Sequence, residues 1–63
     1  MTRSTAHTIT IRLYQDGKTP HQVYALLRAM PEHAPLTDAD LAEIVAAEYL
    51  ARMTTEAIYR AVA

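Results

Sequence analysis

The sequence predicts an all-α fold, a small bundle of three main helices with a short fourth at the C-terminus. Three observations carry that expectation. Residues 15–20, QDGKTP, read as a helix end followed at once by a helix start. Gly17 can take the left-handed conformation that closes a helix, Thr19 offers a capping hydroxyl, and Pro20 suits the first helical position, where its missing N–H is no loss. Val23, Leu26, Leu27 and Met30 then recur at i, i+3, i+4 and i+7, the apolar face of an amphipathic helix. Thr37-Asp38-Ala39-Asp40 opens another periodic stretch with a capping hydroxyl and two carboxylates, which suit the positive end of a helix dipole.

Taken in order, residues 1–7 are polar and are expected to fray. Residues 8–14, TITIRLY, support two readings. The alternation of Thr with Ile and the β-branched content are strand signals. Ala6, Ile9 and Leu13 equally line one helical face, with Ser4 or Thr5 as cap and Gly17 as terminator. The second helix runs from Pro20 to about Met30 and is ended by Pro31. Glu32 to Pro35 is expected to be an extended connector between two prolines. The third helix starts at the Thr37 cap, with Leu36 packing on Leu41 as a hydrophobic staple, and reaches about Met53. Leu41, Val45, Tyr49 and Met53 form one ridge and Ile44, Ala47 and Ala51 a second, while Leu50 points away from the first. A helix apolar on several sides is central in its fold or shared with a second copy. Glu48 and Arg52 are spaced for an i, i+4 ion pair. The short last helix begins near Thr54 or Thr55 and carries Ile58, Tyr59 and Val62.

The 63 residues make a single small domain. A chain of this size buries only about 60% of its unfolded surface, and with no cysteine it has no disulfide or thiolate–zinc staple. A homodimer is the expected remedy. No apolar run approaches the roughly 18 residues that cross a membrane, and MTRSTAHT lacks the apolar core of a secretory signal, so a soluble, cytoplasmic protein is expected. The net charge of −1 is unevenly spread. Residues 1–30 carry Arg3, Arg12, Lys18 and Arg28 against Asp16 alone, a net of +3. Residues 31–63 carry Arg52 and Arg60 against Glu32, Asp38, Asp40, Glu43, Glu48 and Glu56, a net of −4. Such asymmetry can orient the chain on an anionic partner or bring two copies together head to tail.

Catalytic chemistry finds little to work with. Ser4 is the only serine and lies in the N-terminal segment, and there is no thiol nucleophile. His7, His21 and His33 stand too far apart for any two to share a helical turn, so no metal site is expected. Asp38 and Asp40 read as helix-capping residues, and a single glycine cannot build a phosphate-cradling loop, so no cofactor is expected either.

Binding is the better-supported class, and the clearest pointer is a family resemblance. IRLYQDGKTPHQVYALL, through Leu13-Tyr14, Asp16, Gly17, Thr19, Val23 and Leu26-Leu27, resembles the first two helices of the trihelical helix-turn-helix domains of resolvases, transposases and small regulators. The resemblance implies that double-stranded DNA is bound and that the following helix enters the major groove. Here that helix comes after PEHAPL and opens with Asp38, Asp40 and Glu43. If DNA is bound, Arg12, Lys18, His21, Gln22 and Arg28 are the expected contacts. AAEYLARMTTEAIYRAV is in turn similar to excisionase-type helix-turn-helix segments. Under the strand reading, residues 8–13 resemble the ribbon–helix–helix repressors, which implies a dimer whose Thr8, Thr10 and Arg12 face bases while Ile9, Ile11 and Leu13 face the dimer core. The alternative to nucleic acid is a protein-binding module, a small inhibitor, antitoxin-like partner or adaptor, acting through apolar surface and Tyr14, Tyr24, Tyr49 and Tyr59. The function expected from sequence is therefore non-enzymatic binding: a small DNA-binding regulator with a basic N-terminal half, or a protein-binding module.

Overall fold

Residues 8–14, open between helix and strand in the sequence, are helical. The computed structural model describes residues 1–62 as three α-helices, α1 (Arg3–Gln15), α2 (Pro20–Ala29) and α3 (Asp38–Val62), with a 3-10 turn at Pro31–His33 between α2 and α3. The threonines of α1 sit comfortably in a helix because their hydroxyls bond back one turn: Thr8 to the carbonyl of Ser4 at 3.0 Å and Thr10 to that of Ala6 at 2.8 Å. Thr10 is thereby buried with its polar group satisfied. Ala6 and Thr10, one turn apart and both fully buried, keep that face of α1 narrow where it packs on the rest of the fold. Among the described residues there is no strand, which removes the ribbon–helix–helix alternative.

Residues 3–7, expected to fray, are the first turns of α1. Thr2, rather than Ser4 or Thr5, is the cap and accepts a hydrogen bond from the Thr5 amide. At the other end Gly17 has φ +83°, and the Lys18 amide reaches back to the Leu13 carbonyl at 3.0 Å, closing α1 through a left-handed residue. α2 opens with a reciprocal capping box. The Gln22 amide donates to the Thr19 hydroxyl at 3.2 Å, and the Thr19 amide donates to the Gln22 side-chain carbonyl at 2.9 Å.

The connector is not extended as the flanking prolines suggested. It coils into the 3-10 turn, with backbone bonds from His33 to Met30 and from Leu36 to His33. The Met1 ammonium donates to the Glu32 and Ala34 carbonyls at 2.6 and 2.7 Å, so two backbone acceptors of the turn are satisfied from α1's end of the molecule. α3 then starts on a second reciprocal cap between Thr37 and Asp40. It runs unbroken to Val62, which corrects the expected division near Thr54. Neither glycine nor proline stands between Asp38 and Val62, and Thr55 bonds its hydroxyl to the Ala51 carbonyl at 2.9 Å instead of capping a new helix.

Side-chain pairs fix the directions. Arg3 meets Asp40 and Glu43, His7 meets Glu48, and Tyr14 meets Glu56, so α1 and α3 run parallel. Arg28 meets Asp38 while the Lys18 carbonyl receives the Tyr49 hydroxyl, so α2 lies antiparallel to α3. The core is Val23 and Leu27 of α2 with Leu41, Val45 and Tyr49 of α3, flanked by Ile9, Leu13 and Tyr14 of α1 and by Met1, Tyr24, Met30 and Leu36. Leu36, expected to pack on Leu41, lies against the cluster to which Leu41 belongs. The molecule measures 42 × 17 × 15 Å, and its long axis is close to the roughly 37 Å that α3 alone spans.

Candidate functional site

The five residues expected to contact DNA divide into two groups. Gln22 is committed to the α2 capping box, and Arg28 pairs with Asp38 at 3.4 Å. Arg12, in the last turn of α1, Lys18, in the turn, and His21, in the first turn of α2, are exposed. Arg12 edges a shallow hollow of about 300 Å³ with Thr8, Ile9, Ile11 and Gln15. His21 and Arg28 edge another, of about 370 Å³, with Tyr24, Ala25 and Ala29.

The charge asymmetry of the sequence is partly neutralised within the fold. Arg3 reaches Asp40 at 3.3 Å and Glu43 at 3.4 Å, and with Arg28–Asp38 these pairs join the basic half to the acidic start of α3. They are exposed pairs, screened by solvent, so they neutralise more than they stabilise. Glu48 is better sheltered. One of its oxygens lies 2.6 Å from His7 Nδ1 and the other 3.0 Å from Arg52 Nη1, the i, i+4 pair expected from spacing.

Titration behaviour follows these contacts. Hydrogen bonds from Thr37, backbone and side chain, hold the Asp40 carboxyl below the usual range, with Arg3 adding to the effect. The hydrogen bond to Glu56 pushes the Tyr14 hydroxyl up, and burial pushes up that of Tyr49. Each shift is accounted for by a contact within the fold: a cap for Asp40, a surface hydrogen bond for Tyr14 and burial for Tyr49. Among the described residues no three His, Asp or Glu side chains converge so as to hold a metal ion.

The end of α3 presents a free surface. The C-terminal part of α3 outruns α1 and α2, and from Met53 onward every described residue is exposed. Ile58, Tyr59 and Val62 are 59%, 70% and 77% exposed, and on a second side of the same helix Leu50 and Met53 are 69% and 59% exposed. Once the core is seen to close at Tyr49, two helical turns of large apolar residues remain without a partner. The signal available in the sequence was the apolar content, 51%, of so short a chain. Among the described residues no helix is long and apolar enough to cross a membrane. Comparison with known proteins finds no matching family model, no similar curated protein and no similar solved structure.

Proposed function

We propose that this chain is a non-enzymatic binding module that docks a partner protein through the free end of α3. The observation that carries this is the exposure of Ile58, Tyr59 and Val62 on a helix that projects past its own core. Ile58 and Val62 are i, i+4 neighbours with Tyr59 beside them, the anchor spacing of a helix laid into an apolar groove. Tyrosine brings a large contact area with a polar tip, which is why it recurs at the energetic centres of interfaces. The test compares affinity capture by the wild type with capture by the Ile58→Ser/Tyr59→Ser variant at matched thermal stability. A stoichiometric partner retained by the wild type and lost by the variant supports the reading. Identical captured sets refute it.

A second reading, DNA binding by the α1–turn–α2 pair, is favoured by Arg12, Lys18 and His21, which are exposed around the Gly17 turn with no acidic group within 4.0 Å among the described residues. Two cations per chain, Arg12 and Lys18, support only weak binding with a shallow salt slope, roughly −0.9 per phosphate neutralised. A duplex titration at low salt in which Arg12→Ala/Lys18→Ala leaves affinity unchanged removes this reading.

A further inference from the structure

The side of α3 that carries Leu50 and Met53 has a second property: its sequence is self-complementary. Glu43, Ala46, Leu50, Met53, Ala57 and Arg60 are spaced alternately three and four apart, the seam of a helix that packs lengthwise on another helix. All six are exposed, and the described core leaves this side uncovered. Turned about a twofold axis between Ala51 and Arg52, the seam falls on itself. Glu43 then meets Arg60, Ala46 meets Ala57, and Leu50 meets Met53, each twice.

We infer that two copies of this chain pair antiparallel along α3 in that register, with Glu43 of each copy against Arg60 of the other. Three features select a second copy as the occupant. The charges are complementary at both ends of the seam, whereas a parallel in-register pair would set Glu43 on Glu43 and Arg60 on Arg60. The volumes match as well, small on small where Ala46 meets Ala57 and large on large where Leu50 meets Met53. The contact is also isologous, so it closes at two copies and leaves no edge for further growth. The paired stretch, residues 43–60, extends about 26 Å, and alanine at two of the six seam positions, Ala46 and Ala57, lets the backbones approach closely there. Arg3, which reaches Glu43, keeps Asp40 when Arg60 of the other copy arrives.

The interface is narrow, so a dissociation constant on the order of 10–100 µM is expected. Ile58, Tyr59 and Val62 stand off the seam, so this inference goes beyond the partner-docking reading and fails separately from it. Sedimentation velocity on the purified chain is the first measurement. The wild type should pass from monomer to dimer over that range, and Leu50→Asp should remain monomeric. Glu43→Arg should weaken the dimer at least tenfold, and adding Arg60→Glu should restore it to within about threefold, since the charges are then merely exchanged. Register is read by cross-linking, which the cysteine-free chain makes clean. Under mild oxidation a mixture of Ala46→Cys and Ala57→Cys chains should form the mixed disulfide dimer, and neither variant alone should link at the same rate. A wild type still monomeric at about 1 mM overturns the inference, at tenfold or more above the expected constant. So does a dimer that Leu50→Asp leaves intact, a charge exchange that fails to restore pairing, or Ala46→Cys linking to itself as readily as to Ala57→Cys.

Discussion

Tyr14 of α1 and Tyr49 of α3 meet edge to face, with ring centroids 5.1 Å apart and planes inclined by 77°. The Tyr49 hydroxyl continues to the Lys18 carbonyl in the α1–α2 turn, and the Tyr14 hydroxyl to Glu56 further along α3. One aromatic contact thus links the end of α1, the turn and the middle of the long helix. Tyr49→Phe keeps the ring pair and loses the bond to the turn, for an expected cost of about 1 kcal/mol. Tyr49→Ala removes the ring as well, at roughly 3–5 kcal/mol. The lower end of small-domain stability is about 5 kcal/mol, so the alanine variant should retain only about 0–2 kcal/mol and begin to unfold at the lowest urea concentrations, while the phenylalanine variant stays folded. Urea titrations followed by circular dichroism check both.

The local signals that proved most legible in the sequence are those made by neighbours along the chain. Gly17, Thr19 with Pro20, and Thr37 with Asp40 act where spacing placed them, because a cap involves residues only three apart. The division expected at Thr54 failed for a physical reason: a hydroxyl can cap a new helix only where the preceding one has ended, and nothing between Asp38 and Val62 ends it. Thr10 was hidden for a different reason. Its burial depends on the approach of other elements, and a hydroxyl bonded to its own helix leaves no mark in an apolar periodicity. The uneven charge was visible, but its use inside the fold, through Arg3 and Arg28 on the first turns of α3, required knowing that α1 runs parallel and α2 antiparallel to α3. Sequence set Arg12, Lys18, His21, Gln22 and Arg28 together as one group of expected DNA contacts. The fold gives Arg28 a partner in Asp38 that spacing alone did not show, while Gln22 is taken up by the Thr19 cap three residues before it.

Acid should expose the Thr37–Asp40 cap. Folding holds the Asp40 carboxyl below its ordinary 3.8, chiefly through hydrogen bonds from Thr37. A lowered folded value means the ionised form is favoured in the fold, so the contribution is fully present above 3.8 and is lost as the pH falls through the lowered value. Asp40→Asn keeps an acceptor for the Thr37 amide and does not titrate. The wild type should therefore melt above this variant at neutral pH, and the two curves should converge below the ordinary value. A gap in melting temperature that stays constant through the acid range would show that ionisation of Asp40 does not strengthen the cap. Thr37→Ala, which deletes the other half of the cap, should cost about 1 kcal/mol at neutral pH.

The free end of α3 should behave as a unit separable from the core. Proline inside a helix costs about 3 kcal/mol, through one lost backbone bond and a clash with the carbonyl a turn earlier. At Ala57 the fold can avoid that cost by letting the residues beyond unwind, since every described residue from Met53 onward is exposed and the buried residues of α3 end at Tyr49. Ala57→Pro should then lower the unfolding free energy by less than about 1 kcal/mol, mainly through the weakened Tyr14–Glu56 bond, while far-UV circular dichroism loses the signal of the terminal turns. The same substitution at Val45, within the core, should prevent folding. If Ala57→Pro instead costs the full 3 kcal/mol or so in global stability, then the end of α3 folds cooperatively with the bundle and contributes to it directly. A small cost together with loss of the α3–α3 dimer and of partner capture would place this segment's role in binding rather than in holding the fold.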